Sequence, residues 1–239
     1  MNMRHAATRP AHLRSVLARA LLLATALLAP PAALPGELQV FVTTPEGKPA
    51  PDVVVSLLPL VTPAAATPVP AADPVLIVQK DIRFHPYVTA VPLGARVRFV
   101  NRDRFDHHIK SAPGGPLGSI APAKTFELRL AAARGDKTPS AEIVMDAPGA
   151  TGLACHIHGS MRGHIYVSPT PWVAVTDTAG RAVLPGAPEG EADVRLWHPD
   201  QLVAQPNLRT TVGSASTAQA QLNFTPRRRT QPRKGEYEY

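Results

Sequence analysis

Residues 155–163 read Cys-His-Ile-His-Gly-Ser-Met-Arg-Gly and lead into the segment Gly-His-Ile-Tyr-Val at residues 163–167. The alternation of the second segment predicts a strand with one buried face, so the first segment is interpreted as a tight loop ahead of that strand. The loop carries a thiol at Cys155, an imidazole at His158 and a thioether at Met161. Because each donor follows the previous one by three residues, we expect all three to converge on one point.

A second histidine donor is expected from an earlier part of the chain. The alternating segment at residues 96–100 is followed by a polar turn and by the adjacent histidines His107 and His108. We predict that His107 joins the site, because a histidine from a separate strand end holds a metal in a geometry that one loop cannot impose. His108 points to the opposite face of an extended chain and is expected beside the site or at the surface. Asn101 and Asp103 are expected to form the turn.

The combined donor set indicates copper. Two imidazoles, one thiolate and a weak axial thioether are the ligands of a blue copper site. We therefore predict one type 1 copper ion held by His107, Cys155, His158 and Met161. His156 also lies on the loop, and alternation would turn it to the same side as His158, so its approach to the metal stays open at this point.

Other kinds of site fit the sequence less well. Covalent c-type haem requires a second cysteine, and structural zinc sites usually contain more thiolates or a different spacing. A cysteine hydrolase lacks an obvious orienting residue or oxyanion-hole motif. A multicopper oxidase or nitrite reductase is disfavoured, because the remaining histidines form no second paired cluster. We assign no catalytic residue and predict that the protein is not an enzyme.

The composition favours an all-β fold. The 239 residues include 27 prolines and 16 glycines, and short Val, Leu and Ile runs recur between them. Such runs, bounded by turn residues, predict short strands. The segment at 37–42 and the run at 53–58, separated by a turn at 45–49, are expected to form a hairpin or two adjacent strands.

The N-terminal residues predict export. Residues 1–34 contain four arginines and no acid, with an apolar run at residues 20–29, which is the pattern of a secretory signal peptide. We therefore expect the protein in the periplasm. No other segment has the roughly 20 apolar residues of a membrane helix, so stable membrane insertion is not expected. The lone cysteine, Cys155, excludes an internal disulfide and in an oxidising compartment suits a metal ligand.

The formal net charge of +7 lies mainly at the two ends of the chain. Loss of the four leader arginines would leave +3, and residues 226–239 alone carry five basic and two acidic side chains. The folded body is thus close to neutral, so we expect no nucleic-acid partner. The basic tail is predicted to be disordered.

Two segments resemble the cupredoxins. The motif Cys-x-x-His-x-x-Met-x-Gly at 155–163 resembles the copper loop of amicyanin, and Val-x-Phe-x-Asn-x-Asp at 97–103 with His107 resembles the first half of the same plastocyanin-like domain. The resemblance covers about residues 75–167 and implies a Greek-key β-sandwich. It also implies periplasmic one-electron transfer with an unidentified redox partner protein.

The resemblance further implies a docking edge. In similar proteins the histidine of the cysteine loop lies at an exposed edge ringed by apolar residues, which here places His158 at that edge. The candidates for the ring are Gly159, Pro113, Pro116 and Leu117. Met161 is expected to tune the reduction potential.

A wider resemblance covers most of the chain. Short motifs resemble exported bacterial methylamine utilisation proteins that have a plastocyanin-like domain; they lie at 101–108, 124–128, 155–158, 170–180 and 197–199. Residues 37–60 plus 168–225 resemble the two ends of a carboxypeptidase-regulatory or transthyretin-like β-sandwich. The cupredoxin segment would be inserted between them after a Pro/Ala linker at 61–74. A single extended sandwich with extra strands is the alternative.

Two other functions remain open from the sequence. One is an exported copper carrier or sensor that binds the metal without redox turnover. The other is an adhesion or carbohydrate-binding β-sandwich in which the metal is incidental. The carrier predicts a more solvent-open site with readily exchangeable copper.

Overall fold

The computed structural model describes residues 35–61, 73–115 and 120–227. The expected signal peptide, most of the expected linker and most of the basic tail lie outside these residues. Within them the chain forms strands and no helix, which confirms the predicted all-β class. The described part accordingly contains no helix with the length and apolarity that a membrane crossing requires.

The described strands are, in chain order, β1 (Pro35–Thr43), β2 (Val54–Pro59), β3 (Val75–Lys80), β4 (Arg83–His85), β5 (Val88–Pro92), β6 (Arg96–Asn101), β7 (His107–Ala112), β8 (Glu127–Leu130), β9 (Ser140–Val144), β10 (Gly149–Cys155), β11 (Arg162–Ser168), β12 (Val173–Val175), β13 (Arg181–Pro188), β14 (Gly190–Trp197), β15 (Leu208–Val212) and β16 (Ser216–Gln221).

The central strands form two sheets that share one hydrophobic core. One sheet has the order β4-β3-β6-β9 and the other has the order β5-β11-β10-β7-β8. The chain passes back and forth between them, so β3 pairs in parallel with β6, and β5 pairs in parallel with β11. Residues from both sheets meet in the core. This arrangement is a cupredoxin-like β-sandwich.

Strand β6 shows why the alternating sequence produces this packing. Val97 and Phe99 are fully buried between the two sheets. Arg96 and Arg98, which alternate with them along the strand, point away from the core and contact Glu142 on β9. Successive side chains of a strand face opposite sides, so one face joins the core and the other forms a solvent-facing ion-pair cluster.

Strands before β3 and after β11 form two further sheets. Their orders are β13-β1-β16 and β12-β2-β14-β15, and they enclose a separate hydrophobic core. A smaller buried cluster, formed by Val54, Val88, Ala150 and Trp197, joins side chains of these sheets to the cupredoxin-like sandwich. The likeness of the flanking sheets to a transthyretin-like module stays a prediction, as do the proposed domain boundaries.

The expected pairing of the first two strands is wrong. Strand β1 pairs with β13 and β16, whereas β2 pairs with β12 and β14, so the two strands lie in different sheets. A bridge between Thr43 and Pro49 closes the turn, and the chain then crosses to the second sheet. The residues at 54–57 are buried without alternation, which is typical of an interior strand covered on both faces.

Candidate metal centre

Neighbouring strands bring the sequence-predicted donors together. His107 begins β7 and Cys155 ends β10, and these strands pair antiparallel with Cys155 opposite Ile109. His107 and Ile109 are two residues apart and therefore face the same side, toward the core. The backbone N–H of His156 donates to the carbonyl of His108 at 2.8 Å and continues the pairing. One end of the sheet thus holds donors from separate parts of the sequence.

The loop after Cys155 is closed by its own backbone. The N–H of Met161 donates to the carbonyl of His158 at 3.0 Å, and the N–H of Cys155 approaches the carbonyl of Met161 at 3.4 Å. These contacts fold the loop back over the strand end, so His158 lies above Cys155. Met161 stands at the base of the loop with its side chain buried. Its role as an axial ligand stays a prediction.

His107, Cys155 and His158 form one compact cluster. One ligand atom from each lies within 4.8 Å of the others. The Sγ atom of Cys155 is 3.7 Å from Nδ1 of His107 and 3.5 Å from Nδ1 of His158. His107 is fully buried and Cys155 is 3% exposed.

These distances fit a bound metal ion. Metal–sulfur bonds of about 2.3 Å and metal–nitrogen bonds of about 2.0 Å would separate sulfur and nitrogen by about 3.5 to 3.7 Å, for angles between tetrahedral and trigonal. Both observed separations fall at these values. The distances suit several first-row metals, whereas the combination of one thiolate with two imidazoles and a nearby thioether points to copper.

The surroundings favour the thiolate of Cys155. Burial alone raises the pKa of this thiol, but hydrogen bonds with His107, with the backbone amides of His108 and His158, and with the His158 ring lower the pKa to about 6. The thiolate is the form that binds metals. The sulfur is therefore ready to bind a cation at neutral pH.

The surroundings of His107 favour a protonated imidazole beside this thiolate. Burial lowers the pKa of its imidazole, but hydrogen bonds to Asp103 and Cys155 outweigh burial and raise the pKa to about 9. In the metal-free protein a proton on Nδ1 then faces the sulfur at 3.7 Å. A metal cation that binds between Nδ1 and Sγ replaces this proton.

Asn101 organises the loop that delivers His107. It is fully buried; its Nδ2 donates to the carbonyls of Phe105 and Ala131 at 2.9 and 2.7 Å, and its Oδ1 accepts the N–H of Asp103 at 2.8 Å. The asparagine therefore forms the turn, as its sequence position predicts.

Asp103 has a contact that the sequence interpretation missed. It was expected only to shape the turn, but its Oδ2 lies 2.8 Å from Nε2 of His107. Burial raises the pKa of this carboxyl, but hydrogen bonds from His107 and from the backbone amides of Asp81 and Ile82 bring the pKa below its usual value. The four-residue spacing to His107 is the only sequence signal of the contact, and it is too common to be diagnostic.

The remaining nearby histidines stay outside the cluster. His108 is buried on the other face of β7, where its Nε2 contacts a carboxylate oxygen of Glu127. Its ring packs edge-on against His156, with 5.4 Å between centroids. His108 therefore lies on the predicted face but is buried and not at the surface, and His156 contacts His108 instead of joining the cluster.

The exposed edge of the site includes two apolar residues that the sequence analysis did not name. The Phe105 ring lies 5.3 Å from the His158 ring and is 39% exposed, and Ile157, which precedes His158 in the chain, is 55% exposed. Pro113 was expected here, but it follows the end of β7 opposite to His107. Six residues of extended strand separate the two, which corresponds to a distance of about 20 Å. Of the other candidates, Gly159 is exposed on the loop, and Pro116 and Leu117 lie outside the described residues.

Among known proteins, solved structures of copper proteins are similar to part of this chain. No protein-family model matches the chain, and no curated protein matches it in sequence. A copper-containing nitrite reductase from Thermus scotoductus is 26% identical over 45% of this chain and 25% of its own, with a TM-score of 0.34. The chain therefore spans about a quarter of the length of that enzyme.

Two smaller copper proteins are also similar. The Cu(I) form of an amicyanin variant is 18% identical over 47% of this chain and 99% of its own, with a TM-score of 0.31. A purple cupredoxin from Nitrosopumilus maritimus is 20% identical over 39% of this chain and 99% of its own, with a TM-score of 0.31. Strand order and the His–Cys–His cluster at the sheet end make the central part of the present chain a cupredoxin-like domain with a cluster suited to copper.

Proposed function

We propose that this chain is a type 1 blue copper protein that transfers single electrons in the periplasm. The observation that carries the proposal is the placement of the buried Sγ of Cys155 against Nδ1 of both His107 and His158. Met161 would complete this set as a weak axial donor. A copper ion bound there would supply the one-electron cycle between Cu(II) and Cu(I).

The protein contributes fixed donors and exclusion of water. His107 is held by a strand and a carboxylate, and Cys155 by a strand end. The loop hydrogen bonds hold His158 above the sulfur. With Met161 as the fourth donor, the set would leave no open position for a substrate. We therefore propose an electron carrier and no catalytic step.

We propose that an unidentified redox protein docks at the edge formed by Phe105, Ile157 and His158. The histidine is half-buried and its ring lies near that of Phe105; Phe105 and the preceding residue Ile157 are both exposed. An exposed apolar patch beside a metal ligand is suited to a short-lived protein contact. Electrons would enter and leave through the His158 imidazole.

The burial of the donors argues against a copper carrier. A carrier must release its ion readily to a partner, which requires donors that a partner can reach. His107 is fully buried and Cys155 is 3% exposed, so only His158 faces outward. The periplasmic location is proposed from the leader-like residues 1–34 and the single cysteine.

Titration with Cu(II) tests the proposed function. We expect one equivalent of copper to bind and to produce the intense blue absorption of a thiolate–copper bond, with the narrow copper hyperfine splitting of a type 1 site in the EPR spectrum. Optical titration and EPR of the purified mature protein measure both. A colourless complex, or a spectrum of ordinary square-planar Cu(II), would contradict the proposal.

Met161→Leu tests the redox role of the thioether. We expect copper to stay bound and the reduction potential to rise by about 60 mV or more, which is a tenfold change in the ratio of the two oxidation states' affinities. The reason is that loss of an axial donor weakens the binding of Cu(II) more than that of Cu(I). Protein-film voltammetry measures the potential.

Met145→Leu is the matched control, because Met145 is also a fully buried methionine of the same core. It is expected to leave the potential unchanged. If both variants had the reduction potential of the wild type, Met161 would only fill space in the core.

A further inference from the structure

We propose that Asp103 is the positioning residue of the copper site: its carboxylate fixes His107 with Nδ1 toward Cys155 and ties this ligand to the turn between β3 and β4. The inference deepens the proposed function and rests on it, because it concerns how a ligand of the same site is oriented. It does not require that the redox partner be known.

Three N–H groups converge on this one carboxylate. Oδ1 accepts the backbone N–H of Asp81 at 2.7 Å, and Oδ2 accepts the backbone N–H of Ile82 at 3.2 Å. Oδ2 is also 2.8 Å from Nε2 of His107. A carboxylate can only accept hydrogen bonds, so Nε2 must carry a proton and donate it.

The direction of this bond determines which ring nitrogen can bind metal. With Nε2 donating to Asp103, only Nδ1 of His107 can offer a lone pair to a metal. That atom faces Sγ of Cys155 at 3.7 Å. A hydrogen bond of this kind from the second ring nitrogen commonly fixes the orientation of a metal-ligating histidine.

Asp103 itself is held rigidly. Its backbone N–H donates to Oδ1 of Asn101 at 2.8 Å, and its carbonyl accepts the N–H of Ala133 at 2.8 Å. The residue is 6% exposed, so water does not compete effectively for its oxygens. The carboxylate therefore keeps one position, and its hydrogen bond restricts the orientation of the His107 ring.

The turn joined to Asp103 is unusual. Asp81 and Ile82 both have positive φ angles, of 53° and 55°. A β-branched residue rarely adopts the left-handed conformation, because its side chain crowds the backbone. The N–H groups of both turn residues point at the carboxylate, so one acceptor stabilises the strained turn and orients the histidine.

An asparagine cannot replace this carboxylate without a conflict. If its amide oxygen accepts from Asp81, its NH2 group faces Ile82 and His107, and Nε2 must then become an acceptor. The proton of a neutral ring then lies on Nδ1, and copper can bind Nδ1 only if this proton returns to Nε2, where it meets the NH2 group. If the amide is flipped, the NH2 group meets the N–H of Asp81 instead. Either arrangement leaves donors facing donors. We expect the first, because it keeps the shorter backbone hydrogen bond, which comes from Asp81 at 2.7 Å and not from Ile82 at 3.2 Å.

The experiment compares Asp103→Asn with Asp106→Asn. Asp106 is an exposed carboxylate of the same loop that accepts the N–H of Ala132 at 2.8 Å, so both variants remove one negative charge from this loop. We expect Asp103→Asn to weaken Cu(I) binding by about 10- to 100-fold, measured by competition with a chromogenic chelator. We also expect its reduction potential to rise, because a buried negative charge favours Cu(II). Asp106→Asn should change neither quantity.

A copper-free measurement separates failure of this proposal from failure of the proposed function. Long-range ¹H–¹⁵N spectra of the metal-free protein report which ring nitrogen of His107 is protonated. Nε2 should carry a proton in the wild type and in Asp106→Asn, and should lose it in Asp103→Asn. Unchanged protonation together with unchanged Cu(I) affinity in Asp103→Asn would overturn the proposal. A wild type that shows the protonated Nε2 but binds no copper would refute only the copper function.

A folding defect in Asp103→Asn is resolved by adding Ile82→Gly. Glycine adopts the left-handed conformation without crowding, so the turn depends less on the carboxylate. The double variant should fold and should still bind Cu(I) weakly if Asp103 positions His107. Wild-type affinity in the folded double variant would show that Asp103 only stabilises the turn.

Discussion

Cys155→Ser is expected to abolish the blue absorption of the copper-loaded protein and to weaken copper binding by more than about 100-fold. Loss of outer partners alone commonly weakens metal binding 10- to 100-fold, and this variant removes a direct donor. Serine is nearly isosteric, but its hydroxyl stays protonated at neutral pH and is a poor donor to copper. The wild-type thiol, in contrast, has a pKa of about 6 and is a thiolate under the same conditions. Optical titration with Cu(II) and chelator competition for Cu(I) measure the two effects.

His156→Ser is the control for this experiment. His156 neighbours Cys155 on the same loop and is exposed, and it lies outside the metal cluster. It should retain the blue absorption and the wild-type affinity. A blue complex in Cys155→Ser, or loss of colour in His156→Ser alone, would contradict the assignment of the thiolate.

Asn101→Ala is expected to lower the free energy of unfolding of the copper-free protein by about 3 kcal/mol, since a buried polar group left without its partner costs about 1 to 3 kcal/mol. The substitution removes the partners of the Phe105 and Ala131 carbonyls and of the Asp103 N–H. Partial entry of water keeps the total below the sum of the largest values. Urea unfolding followed by intrinsic fluorescence measures the change.

The same variant should also weaken copper binding, because the loop that it destabilises carries His107. Asn207→Ala provides a comparison, since Asn207 is exposed in the segment ahead of β15. Its unfolding free energy should stay within about 0.5 kcal/mol of the wild type. If Asn101→Ala changed the free energy of unfolding as little as Asn207→Ala does, the hydrogen bonds of Asn101 would not stabilise this loop.

Much of the all-β architecture could be predicted from local patterns. The alternation in β6 and β11 predicts which side chains enter the core, because the two faces of a strand repeat every second residue. Local patterns could not give the pairing of β1 and β2. Each strand finds its neighbours through contacts with strands that are far away in the sequence, here β13 and β16 for β1 and β12 and β14 for β2. The short strand β4 and the polar edge strand β15 also lack a distinct local signal.

For the candidate site, the sequence by itself determined the donors on the short loop, because a three-residue spacing confines Cys155, His158 and Met161 to one small region. It also indicated the metal class through the donor types. The tertiary structure alone decided that the Asp103 carboxylate meets Nε2 of His107, and that Phe105, in place of Pro113, borders the exposed edge. The physical reason is that hydrogen-bond partners and surface neighbours depend on strand pairing and on the path of the loops, which join residues from separate parts of the chain.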